Sequence, residues 1–221
     1  MVRPDVEIVV ARYKEDVSWL DETDFPAVIY DKGGDLVEMG DKRSILLPNI
    51  GREAHTYFYH ILKKYPNFPE YTIFLQGDPF FHMDKLTVEE FFDLADEKMA
   101  KKVKFFGFAW FKLRCDRLGR PHEMNDPAKK GKWKGWGKDI PVGDVFEKLF
   151  KRTSPEQFIA NAPTGNFIVA KERILARPRS FYENALQLVL DDPQDENNTG
   201  HAFERLWQII FNGSTRINPI E

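Results

Sequence analysis

Residues 71–84 (YTIFLQGDPFFHMD) constrain the fold more than any other stretch of the chain. They open with a short run of β-branched and aromatic residues and then stop at Gln76, Gly77, Asp78 and Pro79, which is the pattern of a buried strand followed by a loop. Because Gly77 lets the backbone turn and Pro79 cannot continue a strand ladder, we expect Asp78 at the carboxyl end of a core strand. Ligands bind at that edge of an open α/β sheet.

The carboxylate of Asp78 beside the amide oxygen of Gln76 suits a hard divalent cation such as Mg²⁺ or Mn²⁺, because these cations prefer oxygen ligands. An Asp that precedes Pro is equally typical of an ordinary turn. A metal site and a plain turn are therefore the two interpretations of this loop.

Two further apolar runs indicate that this strand belongs to a parallel sheet. Residues 6–11 (VEIVVA) and 27–30 (AVIY) predict strands, with a short helix over residues 17–20 between them. Strand, helix and strand in this order begin a parallel α/β sheet. The strand ends carry polar residues that either contact a ligand or lie in solvated loops: Arg12, Tyr13 and Asp31.

A helical pattern of apolar residues begins at Arg52, with Asn49 or Gly51 in the capping position. A helix N-terminus that is opened by Gly and followed by Arg is a good anion site. His55 lies one turn further on and faces either solvent or a ligand.

The rest of the chain continues to alternate between helix and strand. A capping box at Thr87–Glu90 starts one helix, and Ser154 with Pro155 is typical of another helix start. The further helices are expected over residues 87–101, 141–152, 171–176, 181–190 and 199–211, and the further strands over residues 102–111 and 166–170.

Residues 129–138 (KKGKWKGWGK) contain five Lys, three Gly and two Trp, inside a long segment without periodicity. Basic residues interleaved with Trp are typical of a surface that stacks on a phosphorylated ligand, a glycan or single-stranded nucleic acid. A solvated excursion is the other interpretation of this segment.

Composition excludes several classes of protein. With 221 residues, 42% of them apolar, the chain is long and apolar enough for a folded core. Its 32 Lys and Arg against 35 Asp and Glu give a net charge of −3, so no overall charge attracts it to nucleic acid or to anionic membranes. One cysteine, Cys115, rules out a disulfide within the chain, and we expect a cytoplasmic protein without signal peptide or membrane span.

Four segments, VVARYKEDVSWL, NIGREAHTYFYHI, YTIFLQGDPF and HAFERLW, occur in this order along the chain. Together they resemble a domain family of unassigned function from fungi, bacteria and large algal viruses, which includes a small GT-A type glycosyltransferase domain of a chlorella virus. The resemblance spans nearly the whole chain. It implies a single GT-A-like (Rossmann-like) α/β domain over residues 1–221, with a central, mostly parallel sheet of about six strands flanked by helices. If the protein is viral, it would act in the cytoplasm of the host cell.

The resemblance also implies an enzyme that transfers a sugar from a UDP-sugar to a glycan or other hydroxyl acceptor with the help of Mn²⁺ or Mg²⁺. GT-A enzymes carry Asp-x-Asp after a core strand. Here Gln76-Gly77-Asp78 takes that place without the first Asp, which leaves the number of direct metal ligands open. The implied contacts with donor uridine and ribose are Ala11, Arg12, Tyr13 and Asp31, and those with its sugar and diphosphate are Asn49, Arg52 and His55.

The remaining implied roles fall on the C-terminal half of the chain. His201 of the C-terminal helix is the candidate for a further metal or phosphate ligand beside Asp78. If the anomeric centre inverts, the acceptor hydroxyl needs a base, and the candidates are Glu204, which would act with Asp78, and Glu123. Residues 129–138 would form a lid over donor or acceptor. We expect a monomer or part of a longer multidomain chain. A metal-dependent hydrolase of nucleotide-sugars or phosphoesters, and a nucleic-acid-binding module, remain the alternative functions.

Overall fold

A computed structural model describes residues 5–36, 43–120 and 139–212 of the chain. Eight strands occur in these residues: β1 (Val6–Arg12), β2 (Ala27–Asp31), β3 (Arg43–Leu46), β4 (Tyr71–Gln76), β5 (Phe105–Gly107), β6 (Lys112–Asp116), β7 (Gln157–Asn161) and β8 (Phe167–Ala170). Six of them form one sheet in the order β3-β2-β1-β4-β8-β5, and β6 pairs with β7 in a small antiparallel sheet.

The central sheet is mostly parallel, as the sequence predicts. Strands β1, β2, β3 and β4 run in one direction, and β8 runs antiparallel to both of its neighbours. Ala11 lies opposite Tyr30 of β2 and Gln76 of β4, so the carboxyl ends of these three strands meet at one edge. The mixed α/β fold is consistent with a Rossmann-like domain.

Helices cover both faces of the sheet: α1 (Arg52–Lys64), α2 (Val88–Ala100), α3 (Val142–Phe150), α4 (Lys171–Leu175), α5 (Arg179–Leu190) and α6 (Thr199–Asn212). Side chains of β1 alternate between the two faces, since Val9 packs with α1, α5 and α6 while Ile8 and Val10 pack with α2. Large rings such as Phe58 and Trp207 are fully buried, each stabilising the fold by roughly 2–3 kcal/mol. None of the helices in the described parts of the chain is both long and apolar enough to cross a membrane.

Two sequence predictions about the elements are wrong. The segment after Ser154 forms β7 rather than a helix, because Phe158 and Ala160 alternate with more exposed neighbours and the strand pairs with β6. The strand expected over residues 102–111 is limited to β5: the backbone N–H of Phe108 still bonds the carbonyl of Asn166 beside β8, and that of Trp110 then bonds the carbonyl of His82 outside the central sheet.

Candidate functional site

A cavity of about 330 Å³ opens at the carboxyl edge of the central sheet. From β1 the chain proceeds to β2 and β3 on one side and later to β4 on the other, so the crevice between β1 and β4 is the point where the strand order reverses. Open α/β sheets bind their ligands at such a point. The residues that line the cavity are Ala11, Arg12, Tyr13, Glu15, Lys32, Asn49, Arg52, Glu53, Gln76 and Asp78.

Most of the residues that the sequence predicts as ligand contacts therefore come together in the wall of one cavity. Asp31, His55 and Gly77 lie beside it but do not line it. Three lining residues were missed by the sequence analysis: Glu15, Lys32 and Glu53. Each of them stands within three positions of a predicted contact. Their closeness in sequence to those contacts is the feature that could have predicted them.

Arg12 is buried and organises the loops around the cavity. Its Nη1 donates to Oδ1 of Asp31 at 2.8 Å and to Oδ1 of Asp35 at 2.7 Å, while its Nε donates to the carbonyl of Glu15. Asp31 in turn accepts the backbone N–H of Gly33. Arg12 lines the cavity, and its ion pair with Asp31 fixes its position from beside the cavity.

The start of α1 is held in place by Lys32. Gly51 and Arg52 both have a positive φ, of 56° and 50°, and the Nζ of Lys32 donates to the carbonyl oxygens of Ile50, at 2.7 Å, and of Arg52. Burial lowers the pKa of Lys32 to about 8. Burial also lowers the pKa of His55 to about 4, with a smaller effect of Lys32, so His55 is neutral at pH 7.

The amide of Gln76 has a defined orientation. Oδ1 of Asn166 accepts the backbone N–H of Gln76 at 2.8 Å, so the other end of the Asn166 amide must be its NH₂ group. That NH₂ group donates to Oε1 of Gln76 at 3.1 Å. The Gln76 side chain consequently has its NH₂ group, a hydrogen-bond donor, left for the cavity.

Glu53 is the buried carboxylate of the cavity. It is only 6% exposed, and within the described parts of the chain its Oε1 has no hydrogen-bond partner. Its Oε2 lies 3.8 Å from Nε of Arg52, too far for a hydrogen bond. The side chain is packed against Gly165, where an added Cβ would lie 2.7 Å from Cγ of Glu53. A buried carboxylate oxygen of this kind is ready to accept a donor or a cation from a ligand.

Glu204 and His201 lie on α6 and do not line the cavity. Oε1 of Glu204 accepts Nη2 of Arg52 at 3.1 Å, and Nδ1 of His201 lies 2.9 Å from Oδ2 of Asp195. Burial, with a smaller effect of the Glu53 carboxylate, raises the pKa of Glu204. Glu204 therefore contacts Arg52, which lines the cavity, without lining the cavity itself.

The metal site stays a prediction. No cluster of three or more His, Cys, Asp or Glu side chains in the described residues is arranged to hold a metal ion. Asp78 is exposed at the cavity mouth, and His201 is engaged with Asp195. Glu123 and the basic segment 129–138 lie outside the described residues, so the second base and the lid stay predictions as well.

Comparison with known proteins gives the family of the chain. The model of the family described as a protein of unknown function (DUF3431) matches residues 8–221. No curated protein and no solved structure matches the chain significantly. Since the family match includes every residue of the cavity, from Ala11 to Asp78, and nearly the whole chain, the protein belongs to the DUF3431 family.

Proposed function

We propose that the protein is a GT-A type glycosyltransferase that binds a UDP-sugar in the cavity between β1 and β4 and transfers its sugar to a hydroxyl group of a glycan. The observation that carries this proposal is the convergence of Asn49, Arg52, Gln76 and Asp78 at the point where the strand order reverses. The resemblance of four sequence segments to the chlorella virus domain supports it.

A divalent cation fits the acidic side of this cavity. Oε1 of Glu53 has no hydrogen-bond partner among the described residues, and the carboxylate of Asp78 is exposed where it lines the cavity. Oxygen ligands of this kind suit Mg²⁺ or Mn²⁺, which use one or two carboxylates together with phosphate oxygens and water. We assign Asp78 and Glu53 to hold the cation. When bound, it would neutralise the charge that develops on the leaving diphosphate.

Three basic side chains, Arg12, Lys32 and Arg52, and three acidic ones, Glu15, Glu53 and Asp78, line the cavity. Arg52 is the first residue of α1, and Lys32, which follows β2, donates to backbone carbonyls at the same helix start. The helix dipole also favours a negative group there. We assign Lys32 and Arg52 to the diphosphate, with Glu204 positioning Arg52.

In the proposed reaction, one bond at the anomeric carbon breaks and another forms. The bond to the diphosphate oxygen breaks and UDP leaves with the electron pair, while the acceptor oxygen forms the new bond and gives up its proton to water. If water replaces the acceptor, the same site hydrolyses the donor. UDP-sugar turnover with and without an acceptor glycan therefore separates the transferase from the alternative hydrolase.

A thermal-shift panel of UDP, GDP, ADP and CMP with and without Mn²⁺ tests donor binding, because a ligand that binds the folded state raises its Tm. We expect selective stabilisation by UDP in the presence of Mn²⁺. Equal shifts with all four nucleotides, or no shift with any of them, would contradict the proposal.

A further inference from the structure

Two loops beside the cavity carry aromatic side chains that are exposed to solvent. The 3-10 helix Phe80–His82 follows β4, and residues 108–111 follow β5. The strand between them, β8, runs in the opposite direction, so both loops meet at the same edge of the sheet as the cavity. The backbone N–H of Trp110 donates to the carbonyl oxygen of His82 at 3.2 Å and fixes the two loops to each other.

The rings of these loops form a continuous row, which we call the aromatic ledge: Phe81, His82, Phe111 and Trp110. The centroids of successive rings are 5.0, 6.2 and 5.6 Å apart. Phe81 is 79% exposed and Trp110 is 67% exposed, at the two ends of the row. Exposed apolar patches with polar neighbours mark binding surfaces.

His82 of the ledge lies within electrostatic reach of two carboxylates of the cavity. Burial lowers the pKa of His82, and the negative charges of Asp78 and Glu53 act in the opposite direction. Both carboxylates line the cavity, and Asp78 stands three positions before Phe81, so the Phe81 end of the ledge lies beside the cavity.

The size and the charge of the surroundings limit what the ledge can bind. Two exposed aromatic side chains offer about 150–250 Å² each, which is well below the roughly 800 Å² that a stable protein partner covers on each side. A single-stranded nucleic acid would bring a chain of phosphates onto a row of rings that contains no Lys or Arg, in a protein with a net charge of −3. A neutral sugar ring has an apolar face that can pack on an aromatic ring and carries no charge to be repelled.

We propose that the aromatic ledge is the acceptor subsite, where Phe81 and Trp110 stack on sugar rings of a neutral glycan. The role as acceptor rests on the proposed glycosyl transfer, whereas saccharide binding by the ledge does not. His82, between the two exposed rings, supplies the polar group that orients a hydroxyl towards the cavity.

The test is a titration of the protein with hexasaccharides of glucose, xylose and N-acetylglucosamine at millimolar concentrations, followed by Trp fluorescence and calorimetry. We expect at least one hexasaccharide to bind and the Phe81→Ala/Trp110→Ala double variant to lose about tenfold or more of that affinity. Leu46→Ala is the matched control, because Leu46 is 72% exposed but lies on edge strand β3 at the far side of the sheet. UDP binding in the presence of Mn²⁺ should be unchanged in both variants.

The outcomes separate this proposal from the proposed function. If no hexasaccharide binds, or if the double variant binds as tightly as the wild type, the ledge is not a saccharide site. Binding of oligothymidylate that is lost in the double variant would assign the ledge to nucleic acid instead and overturn the proposal. Saccharide binding that is retained in a protein without UDP affinity would reject glycosyl transfer and keep the ledge as a saccharide site.

Discussion

At the scale of single residues, Asn166 decides which group β4 offers to a ligand. It holds both the backbone N–H and the side-chain oxygen of Gln76, so the NH₂ group of Gln76 is directed to hydrogen-bond acceptors. Beside it, Glu53 and Asp78 provide oxygen atoms for a cation. The cavity thus offers both hydrogen-bond donors and carboxylate oxygens, which suits a ligand that combines phosphate oxygens with a metal ion.

Replacing Arg52 by Lys should reduce activity although the positive charge is kept. Arg52 donates to Glu204 at 3.1 Å, and its Nε lies 3.9 Å from Asp195. A Lys ammonium cannot reproduce the planar fork of Arg, so we expect UDP-sugar turnover to fall by about tenfold or more with little change in Tm. Lys is as compatible as Arg with the local backbone. Normal turnover of Arg52→Lys would show that Arg52 does not contact the donor.

Replacing Glu204 by Gln should change how stability depends on pH. Burial, with the help of Glu53, raises the pKa of Glu204 to about 8, whereas a Glu in the unfolded chain titrates near pH 4.3. The native state therefore holds a proton that the unfolded state has lost. This contribution is fully present below about pH 4.3 and is lost as the pH rises through about 8.

Urea unfolding between pH 5 and pH 8 measures this effect, since the free energy of unfolding of the wild type should fall relative to that of Glu204→Gln as the pH rises. The exposed Glu183→Gln serves as the control and should follow the wild type. Parallel curves for wild type and Glu204→Gln would contradict a raised pKa.

At the scale of elements, the first turn of α1 determines the shape of the site. Gly51 has a φ of 56°, and an added Cβ would lie 2.0 Å from Cγ1 of Val189 on α5. The backbone N–H of Gly51 donates to the carbonyl of Pro193, and Lys32 holds the turn from the side of β2. A change at Gly51 is therefore expected to disturb both the packing of α1 on α5 and the position of Arg52.

We expect Gly51→Ala to destabilise the protein by about 3 kcal/mol or more, because it adds a clash to the cost of a left-handed conformation. Gly34→Ala is the matched control: Gly34 also has a positive φ, of 69°, but an added Cβ would meet its nearest neighbour, Leu46 Cδ1, only at 3.8 Å. The free energy of unfolding of Gly34→Ala should fall by only about 1–2 kcal/mol. If chemical denaturation gave the same decrease in the free energy of unfolding for Gly51→Ala and Gly34→Ala, the proposed clash at Gly51 would be contradicted.

Local patterns predicted the elements that frame the cavity, because β1, β2, β4 and α1 carry their own periodicity and cap or breaker residues. They failed at β7, whose strand character depends on pairing with β6 from a distant part of the chain. The orientation of the Gln76 side-chain amide could not be predicted from local patterns for the same reason, since Asn166, which fixes it, lies 90 residues further on. Lys32 and Glu53 were missed because a charged residue in a loop or a first helical turn is usually solvated.

At the scale of the whole molecule, the order of the strands explains why short segments that are distant in sequence form one site. The reversal between β1 and β4 brings three strand ends and the start of α1 to one edge, and the antiparallel β8 adds Asn166 to it. The whole chain carries a net charge of −3, and the cavity combines basic and acidic groups. An anionic ligand is thus expected to bind together with a cation rather than alone.

The most direct measurement is a calorimetric titration of UDP into the wild type and into Asp78→Asn, each with and without Mn²⁺. We expect the wild type to bind UDP at least about tenfold more tightly with Mn²⁺ than without it, and Asp78→Asn to lose that difference while it keeps the Tm of the wild type, since Asp78 is exposed. UDP affinity that does not depend on Mn²⁺ in the wild type, or a full Mn²⁺ effect in Asp78→Asn, would contradict a metal-assisted nucleotide site at this sheet edge.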